Sequence, residues 1–206
     1  TVVRPQQGKA DAGSEHELAL SGLPLPGYPG LRFGLPAGRR LARQWRQRRP
    51  DFVHVVTEGP LGWSALNTAR RLGIPVTSGF HTNFDRYSLH YGLGWMRPAV
   101  AAYLRSLHRR TRATMVPTAA LAADLAGEGL SGVRVVGRGV DAELFDPERR
   151  DPALRNCWGV ADEGPVCLYV GRLAPEKNLA LVERSFAAIQ VWHPQARMVW
   201  VGGGPS

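Results

Sequence analysis

The sequence predicts an α/β fold with two Rossmann-like halves in a chain of 206 residues. Short apolar runs alternate with amphipathic helical stretches, which is the pattern of βαβ units and a parallel sheet. A polar, proline-containing segment interrupts this alternation, which then resumes, so two domains are expected. We assign a first domain to 1–145, a linker to 146–164 and a second domain to 165–206, and expect both domains to be incomplete in this chain.

The first half contains four predicted strands and three predicted helices in alternation. The strands are 51–57, 74–80, 113–117 and 133–139, and the helices are 60–73, 97–110 and 119–127. Pro60 near a first turn and Gly73 at a stop are typical helix boundaries, and Thr118 is a typical N-cap residue. Because a helix separates each strand from the next, the strands are expected to lie parallel.

The second half contains one further βαβ unit. Its predicted strands are "VCLYVG" at 166–171 and "RMVWVG" at 197–202, with a helix between them at 178–193. The helix has an apolar stripe at spacings of three and four, formed by Leu179, Val182, Phe186 and Ile189. In open α/β sheets ligands bind at the carboxyl ends of the strands, so the turn before this helix is a candidate site.

Two cations lie in that turn, within "VGRLAPEKN" at 170–178. Arg172 provides a planar guanidinium fork and Lys177 a mobile ammonium group, and helix N-termini favour anions. This combination favours a phosphate or diphosphate as the ligand. The alternative is an ordinary surface loop in which Lys177 pairs with Glu176.

Polar residues also follow two strands of the first half. His81 comes directly after the strand at 74–80, where an imidazole can stabilise a leaving group or position a sugar hydroxyl; the alternative is a core histidine. Glu58 closes the strand at 51–57 and faces His81 if the two strands are neighbours; the alternative is a carboxylate at a helix start. Asn83 follows in the loop and can line an acceptor pocket.

The last strand runs into a glycine-rich turn, "GGGP" at 202–205. Glycine lets the backbone approach a ligand closely, so Gly203 and Gly204 are candidates for contact with a phosphate or a sugar, although such loops also occur without a ligand. The six histidines show no metal-ligand spacing, and neither a P-loop nor a nucleophile elbow is present. We therefore expect no metal ion and no cofactor.

The net charge of +9 comes almost entirely from arginine, because the chain has only two lysines. Six arginines cluster between Arg39 and Arg49 on a predicted helix, with Leu41 and Trp45 pointing inward. This helix is either an ordinary solvated surface, a contact for an anionic membrane or a contact for nucleic acid. Nucleic acid is not expected, because its binding proteins usually interleave exposed aromatic residues or carry a module signature.

Cysteine use and hydropathy indicate where the protein works. Cys157 and Cys167 form no CxxC pair, which is typical of a reducing compartment. No apolar run approaches the roughly 20 residues that a bilayer requires, and the first apolar stretch is mixed with polar residues, unlike a signal peptide. We expect a cytoplasmic protein, with peripheral contact to the inner face of the membrane if the arginine helix binds lipid.

Several of these stretches occur together, in this order, in a known family. They are "HVVTEGPLGWSA" at 54–65, "SGFHTNFDRYSLHYG" at 78–92, "VPTAALAADL" at 116–125, "GRGVDAELFDP" at 137–147, "VGRLAPEKNL" at 170–179 and "VGGGP" at 201–205. In order and spacing they resemble the retaining nucleotide-sugar glycosyltransferases of family 4, which have the GT-B fold. The form of the second stretch looks most like the GDP-mannose-dependent α-mannosyltransferase branch.

The resemblance implies a role for each candidate residue. Arg172 and Lys177 would hold the donor diphosphate and neutralise it as it leaves, His81 would reach over the donor sugar, and Glu58 would lie beside the acceptor. It also implies a hexose donor such as GDP-mannose, a lipid or glycan acceptor, and no metal ion. The family's glycine-rich loop would precede residue 1 and its E-x7-E pair would follow the "GGGP" turn, so this chain alone is expected to be inactive.

Two alternatives from other classes stay open at this point. One is a GT-B nucleotide-sugar epimerase, which would act on the donor without an acceptor. The other is an inactive fragment or a basic module that associates with membranes or nucleic acid, whose binding would be lost at high salt and would not respond to nucleotides.

Overall fold

A computed structural model of the chain describes residues 1–8, 10–25, 31–80, 97–160 and 164–204. The described residues fall into two compact units, the first ending at Arg138 and the second beginning at Gly139. The segment assigned as a linker from the sequence, 146–164, falls in the second unit. It carries a 3-10 turn at Pro147–Arg149 and a short helix at Pro152–Cys157 (α5), each capped by the aspartate before it.

The main sheet of the first unit, in its described part, has four parallel strands in sequence order. The strands are β5 (Val53–Val55), β6 (Val76–Gly79), β7 (Ala113–Val116) and β8 (Val133–Val135), and the helices are α2 (Pro60–Arg71), α3 (Arg97–His108) and α4 (Ala119–Gly127). Val53 pairs with Val76, Thr77 with Ala113, and Thr114 with Val133. The parallel α/β prediction is confirmed, and Thr118 caps α4 by accepting a hydrogen bond from the Leu121 amide.

Two smaller strand pairs and one helix precede this sheet. They are the parallel pair β1 (Val2–Pro5) and β2 (Glu17–Leu20), the antiparallel pair β3 (Gly22–Pro24) and β4 (Arg32–Gly34), and α1 (Gly38–Gln47). The guanidinium of Arg4 donates to the carboxylates of both Asp11 and Glu17, which ties β1 to the start of β2. The sequence pattern predicts no element between residue 7 and α1, because β2, β3 and β4 are only three or four residues long.

Two hydrophobic clusters form the core of the first unit. The larger cluster joins β2, α1, β5, α2, β6 and α3, and its fully buried members are Leu41, Leu66, Ala69 and Leu107. The smaller cluster packs α3 and α4 against β7, around Phe80, Leu104, Val116, Leu125 and Leu130. Leu41 and Trp45 are buried as the sequence predicts for α1. Burial of the side chains in the larger cluster holds the carboxyl ends of β5 and β6 in fixed positions.

The second unit contains one parallel strand pair with a helix between the strands. β9 (Val166–Val170) pairs with β10 (Arg197–Val201), so that Val166 lies opposite Arg197. The connecting helix, α6, spans Leu179–Trp192 and matches the predicted position. Its apolar stripe is less exposed than the rest of the helix, yet none of the described residues of α6 is buried. The stripe therefore identifies the inward face of α6, but its side chains are too exposed to form a buried core.

Candidate functional site

The turn after β9 carries the two cations predicted to bind a diphosphate. Arg172 is half-buried and its carbonyl accepts a hydrogen bond of 2.7 Å from the Tyr169 hydroxyl. Residues Pro175–Lys177 form a 3-10 turn, and Lys177 is exposed at its end. Asn178 follows with φ of 50° and begins α6 without capping the helix through its side chain. The turn thus presents two cations beside a helix N-terminus, which is a favourable arrangement for an anion.

Glycines after β10 hold this turn in place through the backbone. The Gly171 amide donates to the Val201 carbonyl at 2.9 Å, and the Leu173 amide donates to the Gly203 carbonyl at 3.1 Å. A Cβ on Gly202, where φ is 147°, would lie 1.8 Å from the Gly171 oxygen. The two chain segments therefore run side by side beyond the ends of the strands, at a distance that only glycine permits.

Gly203 and Gly204, which the sequence predicts to contact a phosphate or a sugar, take part in the same backbone contact. A Cβ on Gly204 would lie 1.9 Å from the Leu173 oxygen, whereas a Cβ on Gly203 would meet no atom within 4 Å. The structure brings both glycines against the backbone of the Arg172 turn. The sequence suggested close approach of the backbone to a ligand, and the structure shows close approach to the neighbouring turn; contact with a phosphate or sugar stays a prediction.

Glu58 lies in the first unit, just after β5 and before α2, with 5% of its surface exposed. Its Oε1 lies 3.5 Å from Nε2 of His108, the last residue of α3, which is 1% exposed. The carboxylate therefore faces a histidine of α3. The sequence predicted that Glu58 faces His81 if β5 and β6 are neighbours; among the described residues, the histidine beside Glu58 is His108. His81 and Asn83 lie outside the described residues, so their roles and the contact of Glu58 with an acceptor stay predictions.

His108 connects Glu58 to a buried group of hydroxyls. Its Nδ1 lies 2.9 Å from the Ser78 Oγ on β6, and that oxygen also lies 3.1 Å from Thr111 Oγ1 and 3.2 Å from Thr114 Oγ1. Sequence reasoning missed His108 because it was considered only for metal-ligand spacing. A signal was present, since His108 follows the core residue Leu104 by four positions and so lies on the same face of α3.

An aromatic pair, Tyr103 and Trp63, supports the backbone of Glu58. The Tyr103 hydroxyl donates to the Glu58 carbonyl, and the Tyr103 ring stacks on Trp63 of α2 with centroids 5.1 Å apart. The guanidinium of Arg110 lies 5.0 Å from the centre of the Trp63 ring. Burial, and to a lesser extent the Glu58 charge, raise the pKa of Tyr103, so the phenol stays neutral and remains a donor.

The arginine cluster is exposed around α1. Its members are Arg39, Arg40, Arg43, Arg46, Arg48 and Arg49, all of them exposed, while Leu41 and Trp45 point into the core. The helix is shorter than predicted, because it ends at Gln47, and Arg49 instead donates to the Gly73 carbonyl at 3.1 Å. Within the described parts of the chain, every helix is too short or too polar to cross a membrane.

The elements and the site define the class of the protein, a Rossmann-like α/β protein of the GT-B kind. The staphylococcal MnaA–UDP co-structure has a similar fold, with a TM-score of 0.50 and 14% identity over 80% of this chain and 44% of that one. The model of Glycosyltransferase Family 4 matches residues 1–144. The chain belongs to glycosyltransferase family 4, as its motifs indicate.

Curated relatives carry the comparison into the second unit. A GDP-mannose-dependent alpha-mannosyltransferase of Mycobacterium tuberculosis is 35% identical, over 87% of this chain and 46% of the relative. Its counterpart in Mycolicibacterium smegmatis is 36% identical over the same shares. The sulfoquinovosyl transferase SQD2 of Arabidopsis thaliana is 30% identical, over 88% of this chain and 36% of the relative. The chain thus spans about half the length, or less, of these relatives.

Proposed function

We propose that the complete protein is a retaining glycosyltransferase that moves a hexose from a nucleotide sugar to a lipid or glycan acceptor. The observation that carries the proposal is the turn around Arg172 and Lys177, held by backbone contacts at the N-terminus of α6. The mycobacterial relatives support GDP-mannose as the donor. Because the chain is also similar to a sulfoquinovosyl transferase, the sugar should be identified by assaying a panel of nucleotide-sugar donors.

The chemistry follows from the charge that develops on the leaving group. When the bond between the anomeric carbon and the diphosphate oxygen breaks, negative charge accumulates on the departing diphosphate. Arg172 and Lys177, with the dipole of α6, stabilise that charge more than they stabilise the ground state, which lowers the barrier. The acceptor oxygen bonds to the anomeric carbon on the face that the diphosphate leaves, and its proton passes to a diphosphate oxygen.

Residues of the first unit are proposed to act on the sugar and the acceptor. His81 contacts the donor sugar near the reacting carbon, Asn83 lines the acceptor pocket, and Glu58 supports the same edge of the sheet. Gly203 and Gly204 border the donor pocket. No metal ion or cofactor is required in this scheme, because the two cations and the helix N-terminus supply the positive charge.

A transfer assay on the complete protein tests the proposal. We expect transfer of labelled mannose from GDP-mannose to a lipid extract, and a loss of roughly 1,000-fold in kcat/KM for the double variant R172A/K177A. The matched control is R149A/R184A, which removes two exposed cations of the same unit and should retain activity. Full activity of R172A/K177A, or release of a rearranged sugar without an acceptor, would contradict the proposal.

We further propose that the arginines of α1 hold the protein at an anionic membrane on the cytoplasmic side, close to a lipid acceptor. Because Trp45 is buried, the contact would be electrostatic and would weaken with salt. The variant R39Q/R43Q/R46Q should lose most binding to phosphatidylglycerol vesicles. The control R134Q/R138Q/R184Q removes the same charge from exposed positions elsewhere and should bind as the wild type does. Equal loss in both variants would show a non-specific charge effect.

A further inference from the structure

Five polar side chains, four of them buried and Thr111 half-buried, form a continuous network near the carboxyl ends of β5 and β6. They are Glu58, Ser78, His108, Thr111 and Thr114. The order acid–histidine–serine has the composition of a hydrolase triad. However, Ser78 is fully buried and its Oγ lies within hydrogen-bond distance of three side chains, which excludes it as a nucleophile. The network therefore has another role.

The hydroxyls of this network all have hydrogen-bond partners. The Thr111 hydroxyl donates to the His108 carbonyl at 2.8 Å, or to the Ala113 carbonyl at 3.3 Å, because carbonyls only accept. The Ser78 hydroxyl has one proton, which it can donate to Nδ1 of His108, to Thr111 Oγ1 or to Thr114 Oγ1.

This arrangement leaves the Nε2 of His108 facing the Oε1 of Glu58. Among the described residues, neither atom has a hydrogen-bond partner, and they lie 3.5 Å apart. The contact is attractive when Nε2 carries a proton, because a ring N–H is then directed at the buried carboxylate oxygen.

The network restrains the last residues of β6 from two directions. Ser78 is held through its hydroxyl, and the ring of Phe80 packs against the His108 ring with centroids 5.2 Å apart. The Phe80 amide donates to the Met115 carbonyl at 2.8 Å, which continues the pairing with β7. The next residue in the chain is His81, the proposed catalytic residue.

We propose that the buried contact between Glu58 and His108, continued through Ser78, holds the carboxyl end of β6 in the position that sugar transfer requires. His108 is thus a positioning residue, and Glu58 acts through it. The proposal rests on the proposed function of His81. It differs from a direct contact of Glu58 with the acceptor, which would make the charge of Glu58 essential and His108 dispensable.

Four variants of the complete protein test this proposal. E58Q removes the charge and keeps a polar side chain of the same size opposite Nε2 of His108. H108L removes the contact, and E58Q/H108L removes it without leaving a buried charge, which keeps the fold. T68V is the matched control, because Thr68 is also buried but bonds to the Ser64 carbonyl within α2, away from β6. Each variant is assayed for kcat, for the KM of the donor, and for hydrogen exchange at the Gly79 and Phe80 amides.

We expect T68V to keep kcat and amide exchange close to the wild-type values. In E58Q, kcat and amide exchange should change together, because Glu58 acts only through His108. H108L and E58Q/H108L should lose roughly 100-fold in kcat with little change in donor KM, because a displaced reacting group slows the chemical step. Exchange at Gly79 and Phe80 should become faster in both. These results would support the proposal.

Two results would overturn it. If E58Q lowers kcat while exchange at Gly79 and Phe80 stays unchanged, Glu58 acts directly on the reaction; if H108L behaves like T68V in kcat and exchange, the network positions nothing. If the wild-type protein transfers no sugar from any donor, the proposed function has failed, and amide exchange alone decides the inference. In that case, unchanged exchange at Gly79 and Phe80 in H108L would overturn the positioning role, and faster exchange would support it.

Discussion

The two units hold their candidate residues by different means. In the first unit, Glu58 is fixed by side chains, among them the buried His108 and the partly exposed Tyr103. In the second, the turn of Arg172 and Lys177 is fixed by backbone contacts with the glycines after β10, and the Lys177 side chain stays exposed. The difference implies that charges in the second unit can be changed without loss of fold, whereas changes in the first unit alter structure and function together.

The largest expected effect on stability is in the core of the first unit. Leu66 is fully buried, so L66A should lower the free energy of unfolding of this unit by about 2–5 kcal/mol. The matched change L181A on α6, where the side chain is 50% exposed, should cost less than about 1 kcal/mol. Hydrogen exchange of peptides from each unit measures both effects separately. Equal effects would mean that the two units do not differ in packing as described.

The next effect concerns the glycines of the second unit. G202A adds a Cβ that overlaps the Gly171 carbonyl at a φ of 147°, so it should cost about 1–3 kcal/mol locally and weaken binding of GDP. G203A places its Cβ in open space and should leave the stability of the turn unchanged. Thermal unfolding and GDP titration compare the two variants. A tolerated G202A would show that side chains, not backbone approach, hold this turn.

The smallest expected effect is the acid sensitivity of the strand pair β1–β2. Hydrogen bonds from Arg4 hold the pKa values of Asp11 and Glu17 below their ordinary range. The stabilisation is therefore complete above the unfolded pKa values of about 4 and is lost as the pH falls below them. R4Q should flatten this loss of stability between about pH 5 and pH 3. Acid titrations of both proteins, followed by circular dichroism, would show no difference if the ion pairs contribute nothing.

Much of the fold could be predicted because local patterns determine it. The alternation of apolar strands with amphipathic helices gave β5 to β10 and the main helices, and the spacing of Leu41 and Trp45 gave the inward face of α1. The strands β2 to β4 depend on long-range pairing and are only three or four residues long, so they leave little trace in the sequence. The polar segment expected to be a linker carries a 3-10 turn and a short helix in its described part.

The candidate site was predictable to a different degree in each unit. Arg172 and Lys177 were found from the sequence because their turn lies between a clear strand and a clear helix. The glycines after β10 were also found from the sequence. The sequence does not show why glycine is needed there, because the reason is close contact with the backbone of the turn after β9. His108 was missed because its partners come from β6, β7 and the end of β5, and only the folded chain brings them together.

The affinity of the complete protein for GDP and for guanosine, in the wild type and in R172Q/K177Q, tests the central claim most directly. Glutamine keeps hydrogen-bonding capacity and removes both charges. We expect GDP binding to weaken by roughly 100-fold in the variant while guanosine binding stays unchanged, because only the diphosphate needs the two cations. Equal affinity of the two proteins for GDP would contradict the assignment of this turn as the diphosphate site.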